Sequence, residues 1–152
     1  MKNKLIFPFF ILAFSLFAAD SLPDLDWKTV NGKMANWSGN VQPLSSGGIQ
    51  LKGKNCISYS KRKYRVGESR KARVVFSMRG YASSIGIYCY GKKGTFAGQF
   101  QERIPNAEDT RKFEAVFEIP EKMKGKEVGS FRVFFTSSEN LEILNVEIYL
   151  EN

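Results

Sequence analysis

Between Lys71 and Gly91 the chain alternates so regularly that few folds can accept it. Ala72, Val74, Phe76 and Met78 share one side of a first run, and Ile85, Ile87 and Cys89 share one side of a second. Apolar residues recurring with a period of two, many of them β-branched or aromatic, mark half-buried strands rather than a helix. The intervening Tyr81-Ala82-Ser83-Ser84 is short and polar, so the two runs are expected to form an antiparallel hairpin. Their other side carries Arg73, Val75, Ser77 and Arg79, then Gly86, Tyr88 and Tyr90. That side mixes rings with hydrogen-bonding groups, an unusual content for a surface that only meets water.

The same rhythm recurs along the chain. Residues 48–52 and 56–66 read as strands before the hairpin, with Val66-Gly67-Glu68 as a turn. Residues 95–104 follow it, Pro105-Asn106 breaks the run, and residues 106–110 are expected to make a helical turn. Phe113, Ala115, Phe117 and Ile119 then alternate with Glu114, Val116 and Glu118 until Pro120 stops the strand. Residues 121–129, with three lysines and two glycines, read as a loop. Phe131, Val133 and Phe135 alternate with Arg132, Phe134 and Thr136. A turn at 137–140 leads to a last strand in which Leu144, Val146, Ile148 and Leu150 share a side. Eight or nine strands at this spacing, with no amphipathic helix, predict an all-β fold: an antiparallel two-sheet β-sandwich of jelly-roll type.

The first residues have a different character. A short basic start, Met1-Lys2-Asn3-Lys4, precedes an apolar run over 5–19 that ends in Phe17-Ala18-Ala19. The run is shorter than the roughly 20 residues that span a bilayer, and small residues stand where a signal peptidase cuts. Residues 1–19 therefore read as a signal peptide, and 20–152 as a single domain of a secreted or periplasmic protein with no membrane span. Export permits a disulfide between the two cysteines, Cys56 and Cys89; the alternative is two buried thiols packing as small apolar groups. Trp27 and Trp37 lie in the loop-like segment after the leader. A tryptophan there closes one end of a core or joins a ligand face, and Trp37 is placed among the candidate ligand-binding residues.

Charge and composition narrow the function. Between Gln50 and Lys93 there are 12 Lys and Arg against the single acid Glu68, whereas from Gly94 onward 11 acids outnumber 7 bases. Loss of Lys2 and Lys4 with the leader takes the net charge from +8 to +6. A one-sided basic field attracts polyanions, and it also keeps sheet edges from pairing. For an exported chain the fitting partners are an acidic polysaccharide, a sulfated glycan or an anionic membrane surface, and nucleic acid is not expected. Histidine is absent, so no Ser or Cys nucleophile has a histidine base. The cysteine spacing matches no metal motif. Glu114 and Glu118 lie two positions apart on one strand side, ordinary spacing for a solvent face rather than the facing pair that glycoside hydrolysis needs. The chain reads as a non-enzyme with no cofactor.

Several runs carry a resemblance. Gly47-Gly48-Ile49-Gln50-Leu51-Lys52, Val66-Gly67-Glu68 leading into Ala72-Arg73-Val74-Val75-Phe76-Ser77-Met78-Arg79-Gly80, Thr110-Arg111-Lys112-Phe113-Glu114-Ala115-Val116-Phe117 and Ile143-Leu144-Asn145-Val146-Glu147-Ile148 follow one another in a familiar order. Together they resemble the jelly-roll carbohydrate-binding modules that accompany cellulase and xylanase domains, within the galactose-binding-like superfold. The likeness covers most of residues 20–152 and rests on strand alternation. It implies a concave sheet that binds a glycan, and a structural calcium ion near the first and last strands. The acidic pair expected before Val146 is here Leu144-Asn145, which counts against calcium, although Asp24 or Asp26 could contribute oxygens.

The outward side then becomes the candidate site. With the inward sides as given, Arg79, Tyr88, Tyr90, Gln99, Gln101 and Arg103 face away from the core on neighbouring strands. A pyranose has an apolar face of C–H groups and a rim of hydroxyls. Rings cover the first, and Gln and Arg bond to the second. The expected function is non-catalytic binding of a polysaccharide or glycan, an acidic one among the candidates. The alternative is an envelope structural or interaction protein that holds a protein or an anionic surface through the basic 50–93 flank.

Overall fold

A computed structural model describes residues 29–30, 33–34 and 36–151. The leader expected over 1–19, the start of the domain, Trp27, Asp24 and Asp26 lie outside the described residues. In chain order the strands are β1 Thr29–Val30, β2 Lys33–Met34, β3 Trp37–Gly39, β4 Gln42–Pro43, β5 Ile49–Leu51, β6 Cys56–Ser60, β7 Tyr64–Arg65, β8 Lys71–Gly91, β9 Phe96–Arg103, β10 Ala107–Glu118, β11 Lys122–Met123 and β12 Lys126–Glu151. No helix occurs among the described residues.

Two of these strands dominate. β8 has 21 residues and β12 has 26, and they pair antiparallel from Lys71↔Glu151 to Gly91↔Val128. A straight strand of 21 residues would span about 70 Å, whereas a compact domain of this length is roughly 40 Å across. Both strands therefore turn a corner together. The register slips where they do: Ser84 faces Thr136, Ala82 faces Ser137 and Gly80 faces Leu141, which leaves Ser83 and Tyr81 unpaired on β8 and three residues, 138–140, unpaired on β12. Such extra residues bend a strand and re-aim its side chains. Gly80 sits in the corner with φ +104°, and a Cβ there would lie 2.4 Å from the Asn140 carbonyl oxygen.

The bend divides one hydrogen-bonded sheet into two layers. The first layer runs β10, the first half of β8, the second half of β12, β5 and β4. The second runs β9, the second half of β8, the first half of β12, β6 and β3, with β7 beside β12 beyond the end of β6. The inward sides of the two layers form one core. Ala72, Val74, Phe76 and Met78 contribute from one layer, and Ile85, Ile87, Cys89, Phe131, Val133 and Phe135 from the other. Phe76 meets Phe135 edge-on with ring centroids 5.2 Å apart, although the two are not strand partners, so the halves face each other. Along β8 the inward set is even-numbered before the corner and odd-numbered after it, because the one-residue bulge at Ser83 flips the pleat.

This is the expected all-β sandwich of jelly-roll type, with differences in detail. The central hairpin does not exist: both runs belong to β8, and each finds its partner in β12. The turn at 137–140 is likewise the corner of a continuous strand. The helical turn at 106–110 is instead the start of β10, where Ala107 pairs with Gly80. The loop at 121–129 contains a small hairpin, Lys122–Met123 against Lys126–Glu127, closed by Lys124 and Gly125 with positive φ.

The cysteines are not joined. Cys56 pairs with Ser137 and Cys89 with Phe131, six residues further along β12. That separation is about 20 Å along a strand, far beyond the roughly 7 Å between Cα atoms that a disulfide tolerates. Cys89 is a core residue, and burial pushes its thiol up to about 11. Cys56 donates to the Lys52 carbonyl at 3.0 Å. The calcium that the resemblance implies does not suit the residues near the last strand. Asn145 Nδ2 donates to Glu147 Oε1 at 2.9 Å and Tyr149 holds the other Glu147 oxygen at 2.7 Å. Among the described residues no three His, Cys, Asp or Glu side chains converge on a point.

The corner makes a direct prediction. Gly80→Ala forces a Cβ into positive φ and against a carbonyl oxygen, so it should lower the unfolding free energy by about 2–3 kcal/mol in urea denaturation. Gly125→Ala has positive φ but open space around it, and it should cost less than Gly80→Ala.

Candidate functional site: the outer face of the second layer

The outer face of the second layer is built row by row by strand pairing. In one row Gln99 of β9 faces Tyr88 of β8, and Tyr88 faces Arg132 of β12. The next row runs Gln101, Gly86, Phe134, Tyr59 and Ser38 across five strands. The row on the other side runs Phe96, Tyr90, Ser130 and Arg65. Directly opposed side chains stand about 5 Å apart, so these residues form one continuous surface.

Its foundation is Phe134. This side chain is buried yet points away from the core shared by the two layers. Gly86 makes that possible, since a Cβ there would lie 2.4 Å from the Phe134 ring and 2.3 Å from the Phe100 carbonyl oxygen. The ring of Phe134 lies flat over the bare glycine. Tyr88 covers it in a stack, with centroids 4.2 Å apart and planes 19° apart. Tyr59 meets Tyr88 edge-on at 6.5 Å, and Phe96 meets Tyr88 and Tyr90 edge-on at 6.1 Å each. Aromatic pairs in these geometries contribute about 0.5–1.5 kcal/mol each beyond area burial. The platform is therefore pre-formed.

Cations lie among the rings. The Arg132 guanidinium is 5.7 Å from the Tyr59 ring centroid and 5.6 Å from that of Tyr90. Lys63 Nζ lies 4.1 Å over Tyr90 and donates to the Gly94 carbonyl at 3.1 Å. Gly39, Asn40, Ile57, Tyr59, Tyr88, Tyr90 and Arg132 line a depression of about 350 Å³, within the size range of small-ligand sites. Burial, followed by the neighbouring phenols of Tyr90 and Tyr59, pushes the Tyr88 hydroxyl above the ordinary tyrosine value. It stays a neutral group able to donate and accept.

The two outer faces differ in what their polar groups already do. On the first layer Arg73 is paired with Glu151 and Glu114, Arg79 with Glu142, and Lys71 with Glu151. Tyr149 donates to Glu147. The glutamate carboxyls of Glu147 and Glu151 are held below the usual range, first by those hydrogen bonds. On the second layer the hydroxyls of Tyr59, Tyr88 and Tyr90 and the amides of Gln99 and Gln101 make no side-chain hydrogen bond among the described residues. Two larger depressions exist elsewhere. One, of about 600 Å³, lies at the corner beside Gly80, Tyr81 and Asp109; the other, of about 590 Å³, lies among Glu68, Arg70, Lys71, Glu118 and Glu151. Neither has an aromatic platform.

The predicted site residues separate into two groups. Tyr88, Tyr90, Gln99, Gln101 and Arg103 share the second layer's outer face, with Arg103 at its margin opposite Ser84. Arg79 does not join them. It lies across the corner on the first layer, tied to Glu142. Trp37 is 1% exposed and packs on Phe135 with centroids 5.8 Å apart, so it closes the core and cannot meet a ligand. Tyr59, Phe96, Arg132, Phe134 and Lys63 were not anticipated as site residues.

Comparison with solved structures places the fold among known ones. The CBM22-1 xylan-binding domain from Paenibacillus barcinonensis is similar with a TM-score of 0.58 at 8% identity, over 88% of this chain and 96% of that one. The xylan-binding module CBM15 gives a TM-score of 0.57 at 11% identity, over 88% of this chain and 98% of that one. An arabinose-bound α-L-arabinofuranosidase gives a TM-score of 0.55 at 10% identity over 86% of this chain; the chain spans 26% of that enzyme's length. At such identities the likeness is one of fold, and the fold is that of jelly-roll carbohydrate-binding modules. No family model and no curated protein matches the sequence.

The platform generates a stability prediction. Phe134→Ala should cost about 3–4 kcal/mol in urea denaturation, as for a core phenylalanine, although it points away from the main core. A loss under about 1 kcal/mol would mean that the Tyr88 stack is not a structural unit.

Proposed function

We propose that this chain is an exported, non-catalytic module that binds polysaccharide on the outer face of its second layer. The observation that carries this reading is the contrast between the faces. One face satisfies its own charges and hydroxyls. The other presents Tyr88 stacked on a buried phenylalanine with Tyr59 and Tyr90 beside it, and among the described residues its phenols and glutamine side chains make no hydrogen bond and can bond outward. Rings of this kind cover the C–H face of a sugar, and the free polar groups reach its hydroxyls. The solved xylan-binding modules of the same fold support the reading by analogy.

The alternative that rests on the basic 50–93 flank draws less support. Its cations are dispersed: Lys71, Arg73 and Arg79 pair with glutamates on the first layer, Lys92 pairs with Glu127, and Arg70 donates to the Val128 carbonyl at 3.0 Å. Only part of the flank, Lys63 above all, reaches the aromatic face.

Tyr90→Ala tests the function more cleanly than Tyr88→Ala, because Tyr88 also holds Phe134. In affinity electrophoresis on xylan, cellulose and pectin gels, Tyr90→Ala should weaken retention by about tenfold, which is about 1.4 kcal/mol, with Tm within a few degrees of the parent. A parent protein that no gel retards would contradict the reading.

A further inference from the structure

We propose that the depression selects an anionic saccharide, with the Arg132 guanidinium recognising a carboxylate or sulfate ester on the sugar. This rests on the polysaccharide-binding reading and specifies its ligand class. Three observations lead to it.

The first is the state of Arg132. Its Nε is buried and has no hydrogen-bond partner among the described residues. That nitrogen is shielded from a ligand as it is from water, so recognition falls to the two Nη groups, which are not among the buried atoms and have no hydrogen-bond partner among the described residues. Tyr59 and Tyr90 approach the guanidinium as rings, and a ring offers it electrostatic attraction but no lone pair. The planar fork of N–H groups matches the two oxygens of a carboxylate or sulfate.

The second is the absence of a competing acid. None of the residues lining the depression is Asp or Glu, and Arg132 forms no ion pair among the described residues. Elsewhere on the molecule the arginines Arg73 and Arg79 are matched by Glu151, Glu114 and Glu142. The chain has acids in excess after Gly94, yet among the described residues none pairs with this cation.

The third is a second cation on the same rim. Lys63 Nζ lies over the Tyr90 ring, on the ring that Arg132 also approaches. Two positive groups converge on one aromatic wall, an arrangement that repels a cationic ligand and attracts an anionic one. A neutral sugar would use the rings and leave the guanidinium unmatched.

The test measures the mature domain by calorimetry against three probes: an oligogalacturonate carrying carboxylates, a carrageenan oligosaccharide carrying sulfate esters, and xylohexaose carrying no charge. Arg132→Met and Arg132→Lys are compared with Lys112→Gln, an equal loss of charge on the first layer. The parent should bind at least one anionic probe about tenfold or more tighter than xylohexaose. Arg132→Met should weaken the anionic probe at least about tenfold more than it weakens xylohexaose and so remove that advantage, and Lys112→Gln should change neither affinity. Arg132→Lys keeps the charge but loses the fork, so it should lose several-fold on the anionic probe; this variant carries the test if Arg132→Met fails to fold. Which anionic probe responds identifies carboxylate or sulfate as the group recognised. Equal affinity for charged and neutral probes, or an anionic preference that survives both Arg132 variants, overturns the proposal while leaving polysaccharide binding intact. Binding to none of the three would instead sink the parent reading.

Discussion

The pairing of β8 with β12 is the interaction on which the rest of the structure depends. The two strands pair on both sides of a corner that they turn together, with the register slipping at the bend. Most other strands of the main sheet pair directly with one of the two: β10 and β9 on the two halves of β8, and β5, β6 and β7 along β12, with β3 and β4 added outside β6 and β5. Fusing what would ordinarily be four strands into two fixes the relation of the layers by backbone hydrogen bonds as well as by the core. The slip in register at the corner also decides chemistry. Shifting the pleat by one residue exchanges a buried side for an exposed one, and the bulge at Ser83 is what turns Ile87 inward and Tyr88 outward.

The outer surface of the second layer is a small second core. Gly86 leaves the space, Phe134 fills it and Tyr88 closes it. Rings that pack on one another need little rearrangement to meet a ligand, so the ordering cost of binding is largely met on folding. The first layer shows what the same chain does with an ordinary solvent face. There Arg, Tyr and Glu side chains bond to each other. A polar face closed in that way offers little to a saccharide, whereas the phenols of Tyr59, Tyr88 and Tyr90 make no hydrogen bond among the described residues.

Much of this was legible in the residues. Period-two alternation assigned Ala72 through Met78 and Ile85 through Cys89 to the core, and it placed Tyr88, Tyr90, Gln99 and Gln101 together on the opposite side. The corner was not legible. Gly80, Tyr81, Ser83 and Ser84 have the composition of a hairpin turn, and local composition does not distinguish a turn that reverses a strand from a bulge that bends it. The partner that decides between them lies more than 50 residues away. Arg79 was misplaced for the same reason, since it sits one residue before the corner and the corner sends it to the other layer. Trp37 has no alternating neighbours to reveal its side. Phe134 did leave a signal: in Val133-Phe134-Phe135 the supposed outward position is as apolar as its flanks, the mark of a strand buried on both faces. Tyr59 and Arg132 become site residues only through their pairing across β12, which no single segment displays.

On this reading a saccharide lands on the second layer's outer surface and nowhere else. Backbone and tyrosine-ring NMR shifts followed during titration with xylohexaose and with an oligogalacturonate measure this most directly. Perturbations should concentrate at Tyr59, Tyr88, Tyr90, Gln99 and Arg132, while Arg73, Glu114, Glu142 and Tyr149 stay unmoved. Shifts confined to the first layer, or to the depression at the corner beside Tyr81 and Asp109, would contradict it.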